Sequence, residues 1–435
     1  MKVLKFGGTS VGSAERLKNV ASIVQSHAPV VVVLSAFSGT TNQLEKLNSL
    51  LKEKQLEEAH QLIEELFKHY KSIVTELFES EASRSQAFDF IQEKFEALKA
   101  ISLKLITPSM ERSILAQGEL MSTEIFFLLL KNLKADFNLI SALDFMRIDQ
   151  YGEPDKVFSS NWLKENLDQS KSYITQGFIC RNAFGEIDNL KRGGRDYSAS
   201  LIGAAINAEE IQIWTDIDGM HNNDPRIVEH TKPIERLSFE EAAELAYFGA
   251  KILHPSSVRP AAESQIPVKL KNTMRPDAKG TVISSEGDNS GIKAIAAKDG
   301  ITAIKVKSAH MLLAYGFLKR IFEVFEWYRT SIDMITTSEV AVSLTIDTDE
   351  HLDAIVEDLS KFGLVEIDKN QSIICVVGDH LQAESGIAVK VFEALRKVNI
   401  RMISFGGSKN NISVLIDSSQ KEQALKALNA HLFAL

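Results

Sequence analysis

The chain opens on two short apolar runs, each emptying into a loop of glycines and small polar residues that leads into a helical pattern. The first, Met1-Lys-Val-Leu-Lys-Phe-Gly-Gly-Thr-Ser-Val-Gly12, ends in Lys5 and a glycine pair and precedes a helix-like stretch from Ser13 to Gln25. The second, Pro29-Val-Val-Val-Val-Leu34, is too short for a helix and runs into Ser35-Ala-Phe-Ser-Gly-Thr-Thr-Asn42. A continuous apolar run of this length fits a parallel strand buried on both faces. Two strand-loop-helix units in succession predict an α/β fold with an open, mostly parallel sheet that binds its ligands at the carboxyl ends of the strands. The first loop suits an anion: bare glycine backbone lets amide N–H groups face it, the helix start adds its dipole, and Lys5 adds a point charge. No Gly-x-x-x-x-Gly-Lys-Ser/Thr occurs, so the loop is not of the Walker type.

At 435 residues the chain is long enough for two or three domains. A formal net charge of −9 argues against a general nucleic-acid binder and favours small metabolites as partners. Cys180 and Cys375 lie far apart and make neither a disulfide framework nor a metal-ligand spacing. No signal-like segment and no apolar run near the length that crosses a bilayer is evident, so a cytoplasmic location without membrane contact is expected. Residues 43–107 are rich in Glu, Lys, Leu and Phe without Gly or Pro, and read as a helical excursion from the sheet. Sheet-like patterning returns at Asp136–Ile140, Tyr173–Cys180 and Ile211–Thr215, the last entering the acidic loop Asp216-Ile-Asp-Gly219.

Ser284-Ser-Glu-Gly-Asp-Asn-Ser-Gly291 is a turn-rich stretch and predicts a domain boundary, giving domains 1–291 and 292–435. The second contains an internal repeat. Gly316-Phe-Leu-Lys-Arg-Ile-Phe-Glu323 matches Gly386-Ile-Ala-Val-Lys-Val-Phe-Glu393, and Ser343-Leu-Thr-Ile-Asp347 matches Ser413-Val-Leu-Ile-Asp417, both at a spacing of 70 residues. Repeat units of about 308–370 and 371–435, with 292–307 completing the second, read as two α+β modules of split βαβ layout, and paired modules commonly regulate or dimerise.

Eight segments occur in one order: Lys5-Phe-Gly-Gly-Thr-Ser-Val, Ser35 to Asn42, Gln117-Gly-Glu-Leu-Met-Ser122, Thr175-Gln-Gly-Phe178, Arg192-Gly-Gly-Arg-Asp-Tyr-Ser198, Trp214-Thr-Asp-Ile-Asp-Gly219, Asn223-Asp-Pro-Arg226 and Phe248-Gly-Ala-Lys-Ile-Leu-His-Pro255. Together they resemble the aspartate kinases of the amino acid kinase family, over essentially the whole chain, and the tandem repeat resembles the ACT modules that sense amino acids. No Gly-x-Gly-x-x-Gly fingerprint follows the repeats, so the resemblance is to forms without a fused dehydrogenase.

The resemblance implies a three-layer amino acid kinase fold followed by ferredoxin-like ACT modules, and it assigns roles. Lys5 stabilises the transferring phosphoryl group, with Gly7, Gly8, Thr9 and Ser10 lining the phosphate loop; the last two also suit capping of the next helix. Thr215, Asp216, His221, Arg226 and Lys251 form the nucleotide side, although His221 stands where the family often has tyrosine. Thr41, Glu119 and Phe178 contact the amino acid substrate, Glu119 near its ammonium at the start of an apolar helix running to Leu130. Arg192 anchors the α-carboxylate, for which a guanidinium fork is suited, and Asp196 pairs the ammonium. Arg195 departs from the family, which typically has serine there; a second guanidinium adds an anion contact or points to solvent. In the first repeat, Met311, Gly316, Phe317, Leu318, Asp333, Thr337, Ser338 and Glu339 align with the effector segment. Asp333 suits an ammonium; its counterpart Arg401 does not.

The implied reaction is ATP-dependent phosphorylation of the β-carboxylate of L-aspartate to 4-phospho-L-aspartate, the first step toward lysine, threonine and methionine. No residue cluster has metal-ligand spacing, so Mg²⁺ is expected to arrive on the ATP phosphates. Lysine is the expected inhibitor, with threonine as alternative, and a homodimer through the ACT modules, extending to a tetramer, is the expected assembly. Rival readings are a kinase for another small carboxylate and a non-catalytic amino acid sensor on the same fold.

Overall fold

The computed structural model describes residues 1–190, 193–249, 253–287, 291–308 and 315–433. The chain divides into two units, Met1–Met220 with Leu253–Glu286, and His221–Ile252 with Gly287–Leu435.

The first unit begins with β1 (Lys2–Phe6), α1 (Ala14–His27) and β2 (Val30–Leu34). All five residues of β2 are buried, as a strand inside a parallel sheet requires. The next helices are α2 (Thr40–Lys52), α3 (Leu56–Leu77), α4 (Glu81–Ser102) and α5 (Pro108–Asn132). They bury Leu62, Tyr70, Phe95 and Phe126 in the same core as Leu4 and Val32. Helix α5 starts where Thr107 accepts a hydrogen bond from the Met110 N–H and Pro108 occupies the first turn. It is long and apolar enough to cross a bilayer, yet 67% of its most apolar window is buried within the fold, the mark of a core helix.

Then follow β3 (Phe137–Leu139), α6 (Ala142–Phe145), α7 (Lys156–Asn166), β4 (Ser172–Gln176), β5 (Ile179–Arg181), β6 (Ile187–Asn189), α8 (Gly194–Ile206) and β7 (Ile211–Thr215). The chain next supplies β8 (Arg236–Ser238) and α9 (Phe239–Tyr247) to the second unit before returning with α10 (Arg259–Glu263), β9 (Val268–Asn272) and β10 (Thr281–Ser284). Seven strands line up as β3-β4-β2-β1-β7-β9-β10, every pairing parallel except the last. Trp214 on β7 is fully buried and stacks on Phe6 of β1 at 5.7 Å between ring centroids.

The second unit holds β11 (Ile292–Lys307), α11 (Phe317–Trp327), β12 (Ile335–Thr337), β13 (Ala341–Ile346), α12 (Leu352–Ser360), β14 (Leu364–Gly378), α13 (Ile387–Ala394), β15 (Ile400–Phe405), β16 (Asn411–Asp417) and α14 (Lys421–Leu432). Its six strands form one antiparallel sheet, β12-β13-β11-β14-β16-β15. The two repeats share the long strands. The far half of β11 pairs with β13, whereas its near half, Ile292–Lys298, pairs with the part of β14 that meets β16. Register shifts between Lys298 and Ala303 mark the handover. Ile321, Phe325 and Leu344 fill one core, and Val391, Val414 and Leu425 the other.

The division departs from a single cut near residue 291. Segment 221–252 packs with the C-terminal part because Ile227 and Val228 join the core of the second repeat, and the Asn223 amide donates to the Leu425 carbonyl at 3.2 Å.

Candidate active site

Strands β4, β2, β1 and β7 lie side by side and parallel, so their carboxyl ends and the loops beyond them share one edge of the sheet. Lys5 stands on that edge of β1 with its side chain 9% exposed, and its Nζ lies 2.7 Å from Oδ1 of Asp196 in the first turn of α8. A buried ammonium is tolerated when it is paired in this way. The glycine loop passes close by. A Cβ on Gly7 would stand 3.4 Å from Lys5 Nζ, and one on Gly8 would stand 3.3 Å from the Ala36 carbonyl oxygen. The Gly7 N–H donates to the Trp214 carbonyl, and Gly8–Val11 forms a single 3₁₀ turn.

Ser10 is buried, with its Oγ 2.7 Å from Thr273 Oγ1, whereas Thr9 is exposed and its carbonyl accepts from Arg16. Neither caps the following helix; Ser13 does, accepting from the Arg16 N–H. At the end of β7 the Thr215 hydroxyl donates to Asp216 at 3.0 Å. Asp218 is tied by Asn272 and Arg275. These partners, with Thr273, were not singled out from the sequence, because they come from the end of β9 and the loop after it and carry no motif of their own.

Of the other residues assigned to the nucleotide side, His221 and Arg226 belong to the second unit. The ring of His221 meets Thr231 at 2.8 Å, and burial holds its pKa below the ordinary histidine value. Arg226 is exposed and paired through two nitrogens with Asp224, in an ordinary Asp-Pro-Arg turn. Lys251 and Arg192 lie outside the described residues. Among the described residues no group of three or more His, Cys, Asp and Glu side chains is placed to hold a metal.

Three of the predicted substrate residues, Thr41, Glu119 and Phe178, converge on Arg195. Its Nε donates to Glu119 Oε1 at 3.0 Å, its Nη2 donates to the Thr41 hydroxyl at 2.6 Å, and its guanidinium faces the Phe178 ring at 5.4 Å. Glu119 is wholly buried; Oε1 also accepts from the Ala36 N–H at 3.3 Å, while Oε2 is buried without a partner. It lies in the middle of α5, not near a helix start, because the helix begins at Pro108. Phe178 holds a left-handed backbone, φ +71°, which is uncommon for a bulky residue, and its N–H donates to Ser198 of α8. A Cβ on Gly194 would come within 2.9 Å of the Phe178 ring, so only glycine lets α8 begin this close.

Burial pushes the Glu119 carboxyl above its ordinary pKa, against the opposing pull of Arg195 and the Ala36 N–H. A carboxyl raised on folding stabilises the fold fully below its unfolded pKa and loses that contribution as pH rises through the folded value. Glu119→Gln removes this dependence. The melting temperature of Glu119→Gln relative to the unaltered chain is therefore expected to rise between pH 5 and pH 8 in thermal melts; a falling difference would contradict the assignment.

In the second unit, the Asp333 side chain is 1% exposed and already holds an ammonium. Lys298 Nζ lies 2.7 Å from Asp333 Oδ1 and 2.9 Å from Asp347, and the Tyr247 hydroxyl donates to the same Asp333 oxygen at 2.7 Å. Asp333 Oδ2 is buried without a partner. Thr337 and Ser338 line a cavity of about 480 Å³ with Lys305, Lys307 and Ser343. Gly316 precedes α11 with φ +80°, Phe317 is buried, and Leu318 and Glu339 are exposed. Met311 lies outside the described residues. Arg401, the counterpart of Asp333, pairs with Asp368.

The profile of the amino acid kinase family matches residues 1–272, and an ACT domain profile matches residues 374–432. Aspartokinase 2, chloroplastic, of Arabidopsis thaliana is 36% identical, the match covering 99% of this chain and 84% of that protein. Lysine-sensitive aspartokinase 3 of Escherichia coli is 33% identical over 99% of both chains. The chain belongs to the amino acid kinase family, in its aspartokinase branch. Among solved aspartokinases, Escherichia coli aspartokinase III in complex with aspartate and ADP superposes with a TM-score of 0.85 at 33% identity, over 100% of both chains. The same enzyme with lysine and aspartate gives 0.82, over 100% of this chain and 99% of that one.

Proposed function

We infer that this chain transfers the γ-phosphoryl group of ATP to the β-carboxylate of L-aspartate, giving 4-phospho-L-aspartate and ADP, under feedback control through its ACT domains. One observation carries the reading: Lys5 and Asp196 meet beside the glycine loop at the carboxyl edge of the sheet, in a chain alike from end to end to an aspartokinase bound to aspartate and ADP.

The chemistry needs little from the protein beyond placement and charge. A carboxylate oxygen attacks the γ-phosphorus as the bond to the bridging oxygen of ADP breaks. The attacking carboxylate is ionised at neutral pH, so no general base is required. Negative charges converge, and the site must offset them. Lys5 supplies a fixed positive charge, oriented by Asp196, and Gly7 and Gly8 let the backbone approach phosphate oxygens. Mg²⁺ supplies further positive charge when it is bound, arriving on the nucleotide phosphates. A substrate panel tests the specificity. L-aspartate is expected to exceed L-glutamate and succinate by on the order of 100-fold in kcat/KM, since each analogue displaces or lacks a charged group the site must pair. Equal turnover of glutamate would transfer the reading to another carboxylate.

Lysine is the inhibitor this reading favours, with threonine as the alternative, and the Asp333 region is where its ammonium is recognised. A homodimer through the ACT modules accords with the exposed apolar residues Ile335, Ile403 and Phe405 on the edge strands β12 and β15.

A further inference from the structure

Lys298 stands at the end of the near half of β11, which belongs to the second repeat, yet its side chain reaches into the first. Its Nζ lies 2.7 Å from Asp333 Oδ1, 2.9 Å from Asp347 Oδ2 and 4.5 Å from the centre of the Tyr247 ring at the end of α9. Two carboxylates thus share one ammonium. They differ in burial: the Asp333 side chain is 1% exposed and that of Asp347 40%. Asp333 is also held through its backbone, whose N–H donates to the Thr345 carbonyl at 2.9 Å, and its Oδ2 is buried without a partner. It lines a cavity of about 340 Å³ with Tyr247, Ser404 and Asn411. Resting on the reading of this chain as an aspartokinase inhibited by an amino acid, we propose that Lys298 is an internal competitor for the effector: its tethered ammonium occupies Asp333, and an effector ammonium arriving at Oδ2 drives it onto Asp347 alone.

Three arguments support this. The first is charge: with two carboxylates to one ammonium the cluster lacks a cation, and the unpartnered oxygen of a carboxylate withdrawn from water is where a second cation gains most. The second is repulsion. Ammonium groups on both oxygens of one carboxylate stand close together, so arrival of the effector raises the cost of keeping Lys298 there. Asp347, the more exposed of the two carboxylates and already in contact, gives Lys298 a second place to stay. The third is chemistry: Lys298 carries the same kind of ammonium as an amino acid effector, and a tethered group competes at high effective concentration. A binding-competent state that is only partly populated weakens apparent affinity in proportion. Lys298 therefore sets the effector concentration at which the chain responds. The second repeat is built differently, with Arg401 at the position of Asp333, paired with Asp368.

The test measures binding of radiolabelled L-lysine to the full chain by equilibrium dialysis, with L-threonine in a parallel arm, and follows inhibition by initial rates. The unaltered chain is compared with Lys298→Met, Lys298→Gln, Asp347→Asn and the double variant Lys298→Met/Asp347→Asn, after circular dichroism has established folding. Lys298→Met keeps an apolar stem and removes the charge; it is expected to lower the lysine dissociation constant about 10-fold, and the half-inhibiting concentration with it. Lys298→Gln acts in the same direction and serves if Lys298→Met does not fold, because its amide still donates to Asp333. Asp347→Asn takes away the place to which Lys298 retreats and is expected to raise the dissociation constant about 3- to 10-fold. In the Lys298→Met background the same substitution changes binding by less than about twofold, since no tethered ammonium is left to displace.

Lysine binding that is unaltered or weakened in folded Lys298→Met or Lys298→Gln would overturn the proposal, because Lys298 would then support the site instead of competing for it. So would an equal cost of Asp347→Asn in both backgrounds. Threonine bound in place of lysine, with the same dependence on Lys298, would uphold the competitor and change the effector. An amino acid bound in this manner without aspartate-dependent turnover would overturn the proposed function and leave the competitor standing. Aspartate-dependent turnover with neither amino acid bound would do the reverse, and absence of both would overturn both.

Discussion

Lys5→Ala lowers kcat for aspartate-dependent ATP turnover by on the order of 10³-fold, the cost of withdrawing a fixed positive charge from a phosphoryl-transfer site. Substrate affinities change far less, because the charge acts where negative groups converge. The substitution also strands Asp196, whose partner at 2.7 Å is removed from a site that is mostly shielded from water. A loss of about 1–3 kcal/mol in stability is expected from that alone. The double variant Lys5→Ala/Asp196→Asn separates the two effects: it removes both charges, regains melting temperature, and remains catalytically crippled. A folded Lys5→Ala protein with near-normal turnover would remove Lys5 from the mechanism.

The second large effect falls on regulation. In Asp333→Ala the lysine concentration for half-inhibition rises at least tenfold, with each variant's lysine-free rate as its own reference. Asp333 is the buried carboxylate of the first ACT module, and its Oδ2 has no partner while Oδ1 holds Lys298 and Tyr247. A buried carboxylate oxygen without a donor is costly, and an incoming ammonium relieves that cost. Asp368, which pairs with Arg401 in the second module, makes the contrast: Asp368→Ala leaves inhibition within about twofold. Inhibition curves for the two variants that coincide with each other would show that Asp333 has no special part in the response.

Much of this was readable from the chain. The apolar runs at Lys2–Phe6 and Val30–Leu34 are strands because nothing else buries so short a segment on both faces, and Lys5 and Gly7 follow from where the first run stops. The helical excursion was equally plain from its composition. Glu119 was misplaced within its helix although Thr107-Pro108 is an ordinary start signal, because the Gly118 beside it reads locally as a boundary. The resemblance put residues 41, 119, 178 and 195 at the substrate site, but that the first three meet the Arg195 guanidinium was out of reach: the four come together only after several elements have packed, and no local pattern encodes a guanidinium's direction. The same holds for the shared strands of the second unit. A 70-residue repeat reports two modules, but not that Gly300 and Asn370, both with positive φ, carry single strands through from one module to the other.

The central claim is the acyl phosphate itself. Incubation of the purified full chain with L-aspartate, ATP and Mg²⁺ in the presence of hydroxylamine is expected to give aspartyl hydroxamate and ADP in equal amounts, with neither formed when aspartate is omitted. ADP release without hydroxamate, or no aspartate-dependent product at all, would contradict the assignment of this site to phosphorylation of a carboxylate.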